Sequence, residues 1–275
     1  MKRFLSLLIV LSIPLFACSI ASTSTPQVPT DSPLNPVETV PPMATVPPVV
    51  PSVVPNVTCN NLSFYLDPAI ASGYSCKTVQ ENAEGIEIYP QFTDLTLQGY
   101  PISQKFFIPH ISVFPVQRYI ELLPEYFATD LPALQALIAG GAPGKTLPFL
   151  PRFNAAQLFH ALYLALPFRS GSGIRYATEF AQYSAPVNNT DLFYTFQGLT
   201  SDGKYWVSAI LPINNPILPP DANNPPAGMT WDQLGNNYDA YITDMITQLS
   251  SQAPDSYIPT LAALDALVST ITITP

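Results

Sequence analysis

The chain has 275 residues and a formal net charge of −9, with 10 basic residues against 19 acidic ones and only 11% of positions charged. An acidic chain of this kind repels phosphate backbones and anionic membrane surfaces, so nucleic acid is excluded as an expected partner. Two histidines, His110 and His160, and three cysteines leave little material for metal or acid–base schemes. The length suits one large domain or two small ones, and 14 Tyr with 15 Phe suit β-structure with aromatic faces.

At the N-terminus Lys2 and Arg3 precede an apolar run from Phe4 to Ala17. That run is too short to cross a bilayer as a helix and has the length of a signal h-region. Its end, Leu15-Phe16-Ala17-Cys18, resembles a bacterial lipobox, with Leu at −3, Ala at −1 and Cys at +1, and departs from it at Phe16. The resemblance implies a signal peptide over 1–17 and a diacylglycerol-modified Cys18 as the first mature residue. Ordinary signal cleavage after Ser19-Ile20-Ala21 is the alternative, and it implies a freely secreted protein. Once Lys2 and Arg3 are removed, eight basic residues face 19 acidic ones, a charge of −11.

From Ser22 to Pro55 the chain holds ten prolines among Val, Thr and Ser. Proline fixes φ and lacks an amide donor, so neither helix nor sheet runs through such a stretch. Residues 18–56 therefore read as a disordered, extended stalk, whose Ser22–Pro55 stretch at ~3.1 Å per residue reaches about 100 Å. Beyond it, Cys59 and Cys76 open the folded part. In an exported chain they are expected to pair, leaving Cys18 as the odd cysteine; two free buried thiols are the alternative.

Residues 57–275 form one expected globular domain, large enough to bury roughly 70% of its unfolded surface. Short apolar runs at 62–66, 86–89, 94–98 and 107–114 read as strands. In DLPALQALIAGG, Pro132 is expected in the first turn of a helix that Gly140-Gly141 ends. QLFHALYLALPF is apolar on both faces and reads as a strand, with a helix capped by Asn154 as the alternative. SGSGIRYATEFAQ alternates with period 2 after a turn at Ser170–Gly173.

Leu192–Ile213 carries the clearest local signal. Asp202-Gly203 is the preferred pair for a two-residue type I′ turn with both residues at positive φ. The register that follows sets Tyr194 opposite Leu211 and Phe196 opposite Ala209. Tyr194, Phe196, Gly198, Tyr205, Val207, Ala209 and Leu211 then share a core face, and Thr195, Gln197, Leu199, Trp206, Ser208 and Ile210 a mixed one. Thr230-Trp231-Asp232-Gln233 fits a capping box, followed by apolar residues at helical spacing up to Leu249. A last helix starts near Pro259, with Leu261, Leu264 and Val268 on one face. Strands and helices are segregated, which predicts an α+β fold with a largely antiparallel sheet flanked by helices, an α/β/α sandwich-like arrangement.

The block YTFQGLTSDGKYWVSAILP, with the closing IPTLAALDALVSTI helix, resembles a set of uncharacterised bacterial exported lipoproteins. That resemblance implies membrane anchoring and carries no activity. A fainter resemblance, in strand-then-helix layout alone, is to PsbP-type α/β/α sandwiches.

Catalytic patterns are sparse. There is no G-x-S-x-G. His160, with Ser170, Ser172 or Asp191, is the one base with nearby nucleophile or carboxylate partners, although its neighbours Leu158, Leu162 and Leu164 are those of a core histidine. No cofactor or metal set is expected: Asp221-Ala222-Asn223-Asn224 lacks the glycine and glutamate of a calcium loop, and Gly144-Lys145-Thr146 lacks the first glycine of a P-loop. One binding constellation stands out on the mixed face. Arg175 and Glu179 beside Gln197 and Trp206 suit a sugar or peptide; the structural alternative is a solvated or helix-covered sheet face. The expected protein is a non-enzymatic, lipid-anchored protein on the outer face of the cell membrane that binds a small ligand or an envelope component. The alternatives are an exported hydrolase centred on His160 and a structural or assembly lipoprotein.

Overall fold

The structure is a computed structural model that describes residues 53–274. The signal segment, Cys18 and the stalk up to residue 52 lie outside the described residues. The ordered fold starts where Asn56 closes onto Leu66, its Nδ2 donating to the Leu66 carbonyl at 2.9 Å and its Oδ1 accepting the Leu66 N–H at 2.7 Å.

In chain order the elements are β1 (Val57–Cys59), β2 (Leu62–Phe64), β3 (Gly73–Val79), β4 (Phe92–Gln98), β5 (His110–Pro115), α1 (Val116–Leu122), α2 (Pro124–Ile138), β6 (Ala156–Gln157), β7 (Ala161–Phe168), β8 (Gly171–Thr178), β9 (Phe180–Ala181), β10 (Phe193–Thr200), β11 (Tyr205–Pro212), α3 (Trp231–Asn236), α4 (Tyr238–Ser251), α5 (Leu261–Ser269) and β12 (Thr272–Ile273). Seven strands form one sheet in the order β3-β4-β5-β11-β10-β8-β7, with every neighbouring pair antiparallel. Strands β1, β2 and β12 make a second, small sheet, and β6 pairs with β9. The fold is α+β, with helices on both faces of the main sheet.

The central hairpin has the register read from the sequence: Tyr194 pairs with Leu211 and Phe196 with Ala209. The turn differs. Only Gly203 of the expected pair has positive φ, at +70°. Its N–H donates to the Thr200 carbonyl at 2.8 Å, which makes a four-residue loop, Ser201–Lys204. Asp202 Oδ1 holds that loop by accepting from Thr200 Oγ1 and the Lys204 N–H. The longer loop takes one residue from each strand, so the register survives the change of turn.

All eight residues of β10 are buried, because the sheet carries a core on each face. One core sets Tyr194, Phe196, Val207, Ala209 and Leu211 against the small sheet, α4 and α5. The other sets Leu199, Trp206 and Ile210 against Phe114, Tyr119 of α1, and Phe127 and Leu134 of α2. Phe196 lies over the Gly173–Gly198 cross-strand pair, and a Cβ at Gly173 would stand 2.5 Å from the ring and from the Gln197 carbonyl. Glycine is required there by close approach.

Several sequence expectations shift. Residues 86–89 are a loop joined only by an Asn82–Tyr89 bridge. Pro132 lies inside α2, and Pro124 occupies its first turn; the helix starts earlier because α1 hands over to it directly at Leu123. The Thr230 capping box is formed, with Gln233 N–H donating to Thr230 Oγ1 and Thr230 N–H to Gln233 Oε1. The helical stretch behind it breaks at Asn237 into α3 and α4. Thr260, just after Pro259, caps α5, and Leu261, Leu264 and Val268 are buried. Among the described residues no helix is long and apolar enough to cross a membrane.

Candidate binding groove

The site follows from one row of side chains across the sheet. Directly opposed residues share a face, and the ladders align Lys77, Asp94, Ser112, Ser208, Gln197 and Ile174. Polar residues occupy most of this row, and its two halves meet different surroundings.

Over β10 and β11 the row is roofed by α2 and the segment from Leu147 to Phe153. Gln197 is fully buried there and fully bonded. Its Oε1 accepts from Trp206 Nε1 at 2.7 Å and from the Leu150 N–H at 3.1 Å. Its Nε2 reaches Thr195 Oγ1 and Ser208 Oγ, both at 2.9 Å, and the Leu150 carbonyl at 3.2 Å. A carboxamide is well matched to this place, since a backbone segment lying on a sheet presents one donor and one acceptor that need partners.

Over β3, β4 and β5 the row is open. Lys77 Nζ stands 3.2 Å from Asp94 Oδ2, and Ser112 Oγ donates to Asp94 Oδ1 at 2.9 Å. In the next row Thr96 pairs with His110, whose Nδ1 lies 2.7 Å from the Ile108 carbonyl. These residues floor a groove of about 460 Å³. Aromatic rings wall it: Phe92 against Phe114 (4.5 Å between centroids), Tyr89 edge-on to Phe92 (5.6 Å), and Phe107 stacked on Phe153 (4.9 Å). The lips are loops 80–91 and 99–109, which expose Ile86 (89%), Phe106 (71%) and Ile108 (65%) to solvent. Exposed apolar side chains gathered around a concave, part-polar floor mark an interaction site.

Both lips are tied down. Arg118 of α1 grips Glu81 through Nε at 2.7 Å and Nη2 at 2.5 Å, and this pairing lowers the Glu81 pKa from its ordinary value. On the other side Lys105 Nζ donates to the Asn189 carbonyl and, at 2.6 Å, to the Ile213 carbonyl. Burial lowers the Lys105 pKa to about 8, against the opposing pull of Glu179 and Asp191. Glu179 is itself 1% exposed, with Oε1 accepting the Asn188 N–H at 2.8 Å and Oε2 without a hydrogen-bond partner among the described residues. Burial raises its carboxyl well above the ordinary range.

The four residues proposed from sequence as a binding face do not come together on one surface. Trp206 and Gln197 touch, but under the helical layer. Arg175 stands opposite Phe196 and Leu164 and so faces the other core. There it donates to the Leu162 carbonyl and to Asp265 Oδ2 at 3.4 Å, while the Tyr194 hydroxyl donates to Asp265 Oδ1 at 2.9 Å. Glu179 lies one residue beyond the end of β8. Cys59 and Cys76 are joined as a disulfide that fastens β1 to β3.

His160 has Nε2 2.8 Å from the Gly144 carbonyl. Ser170 is at the far end of β7, about 25 Å along the strand, bonded to the Ile273 backbone. Asp191 accepts from Asn188 Nδ2. Among the described residues no base–nucleophile pair therefore forms at His160. Among the described residues no group of three or more His, Cys, Asp and Glu side chains is placed to hold a metal ion.

The groove residues Lys77, Asp94, Thr96, His110 and Ser112 were not singled out from the sequence. Alternation was present: in β4 Leu95 and Leu97 point to one core while Asp94 and Thr96 oppose them, and in β5 Ile111 and Val113 oppose His110 and Ser112. Which polar face stays open is not a property of the strands themselves. Comparison with protein-family models, with curated proteins and with solved structures finds no match for this chain.

Proposed function

We propose that this chain is a lipid-anchored cell-envelope protein whose domain binds a ligand in the groove over β3–β5. One observation carries the reading: the polar face of the sheet, roofed elsewhere by helices, is open there beneath lips of exposed Ile86, Phe106 and Ile108. Such a patch costs solubility and is retained where something covers it. The lipobox-like Leu15–Cys18 and the proline-rich stalk support display at the outer face of a membrane, at the end of a spacer. A hydrolase centred on His160 has less support, because its imidazole is held by a backbone carbonyl with no nucleophile beside it.

The test is intact and native mass spectrometry on protein taken from its own host membranes. The expected result is a chain that begins at Cys18, carries added acyl mass and retains a noncovalent ligand that is lost in a Phe106→Ser, Ile108→Ser variant. A bare chain beginning near Ser22 would remove the anchor. A chain with no ligand in any preparation, indifferent to the lip substitutions, would favour a structural role.

A further inference from the structure

We infer that the groove takes a neutral carbohydrate; this rests on reading the domain as a binder. Its charged lining is balanced, with Lys77 and Arg152 against Glu87 and Asp94. Lys77 and Asp94 are already paired at 3.2 Å, and the lining as a whole carries no excess of either sign to select an ionic ligand. The spare polar capacity lies instead in the cross-strand Thr96–His110 pair. Among the described residues neither the Thr96 hydroxyl nor His110 Nε2 has a hydrogen-bond partner. With Nδ1–H donating to the Ile108 carbonyl, Nε2 is an acceptor, while a hydroxyl both donates and accepts. Sugar hydroxyls answer both kinds of group without burying net charge. The C–H faces of sugar rings are apolar, and Phe106, 71% exposed at the lip, offers an aromatic ring to cover them. An extended peptide would call for the free edge of β3 and for pockets at alternate positions, whereas the unfilled polar groups lie on the sheet face beneath the lips.

The experiment is affinity electrophoresis of the full chain through native gels that contain laminarin, mannan or xylan, with bis-ANS fluorescence as an independent report on the groove. The expected result is retardation in at least one gel, weakened at least tenfold by His110→Ala and by Thr96→Val, with the thermal midpoint of each variant held near that of the wild type. Four results overturn the sugar inference. Retardation unchanged in both variants would place any sugar site elsewhere. No retardation in any gel, while bis-ANS binds the wild type and not a Phe106→Ser, Phe107→Ser variant, would leave a groove that binds but not sugar. Dye displacement by a tryptic casein digest, without retardation, would assign a peptide. Absence of both retardation and dye binding would remove the binding reading along with the inference.

Discussion

At the residue scale, two buried polar groups set the chemistry of the interior, and they behave oppositely. Gln197 is satisfied on every side. Gln197→Ala strands the Trp206 indole N–H and the Leu150 N–H, and at about 1–3 kcal/mol per unsatisfied buried group the variant is expected to lose roughly 3 kcal/mol in urea denaturation. Glu179 is not satisfied: Oε2 has no partner, and burial raises its carboxyl well above the ordinary range. A carboxyl with a raised folded pKa contributes full stability below its unfolded pKa and loses it as pH rises toward the folded one. Lys105, lowered to about 8 by burial, has the opposite sign, and stability is regained as pH rises from about 8 toward the unfolded lysine value. The denaturation midpoint, measured across pH, should therefore fall on leaving the acid range and recover from about pH 8, until the buried tyrosines, raised by burial, reverse the trend above about pH 10. Glu179→Gln should flatten the acid limb and raise the midpoint at neutral pH. A variant with the slope of the wild type would mean that another carboxyl is responsible.

At the element scale, the sheet is held by close approach and by one covalent staple. The β8–β10 ladder has Gly173 opposite Gly198 with Phe196 laid across them. Gly173→Ala puts a methyl into that ring and into a backbone carbonyl, a crowding expected to cost about 2 kcal/mol, read as a shift in denaturation midpoint. The disulfide links β1 to the otherwise exposed edge strand β3, which pairs only with β4 among the described residues. Replacing Cys59 and Cys76 by Ser should cost about 3 kcal/mol for a loop of this size, with the wild type under reductant showing the same loss. Both features were partly legible. The cysteine pair was, because the expectation of export and an odd count argued for it. Gly173 was read only as part of a turn, since the Phe196 ring that needs it comes from a strand more than 20 residues away, whereas Gly198 was placed on the core face beside that ring. The hairpin register was readable because its two strands are joined by a short loop, and a four-residue loop preserves the parity of a two-residue one.

At the scale of the whole molecule, one sheet serves two cores, and neither helical layer has a face to bury without it. Unfolding is therefore expected to be a single cooperative event. The chain has two tryptophans, Trp206 in the core under α1 and α2 and Trp231 exposed at the start of α3. In a Trp231→Phe variant, fluorescence reports only the core under α1 and α2, while far-UV circular dichroism reports all the elements. The two denaturation curves should coincide, and separated midpoints would mean that the helical layers come away independently. The same architecture makes the groove. The sheet is seven strands wide, and α1 and α2 roof only part of one face, leaving the β3–β5 end of the polar row uncovered.

The sequence by itself determined the fold class, the central hairpin register, the capping box at Thr230 and the cysteine partners. Each rests on a local pattern or a count: a period of two, a short connection, a side chain reaching its own backbone, or an odd cysteine number with Cys18 in a lipobox-like stretch. Only the tertiary structure decided where a ligand has room. Trp206, Gln197, Asp94 and Ser112 all belong to polar or mixed strand faces, and nothing within those strands separates the roofed pair from the open one. The difference is made by α2, and by lips anchored through Glu81 and Lys105 to partners 37 and more than 80 residues away in the chain. Arg175 was assigned to the wrong face for the same reason. Strand alternation states which residues share a side, but only pairing with a distant neighbour states which side it is.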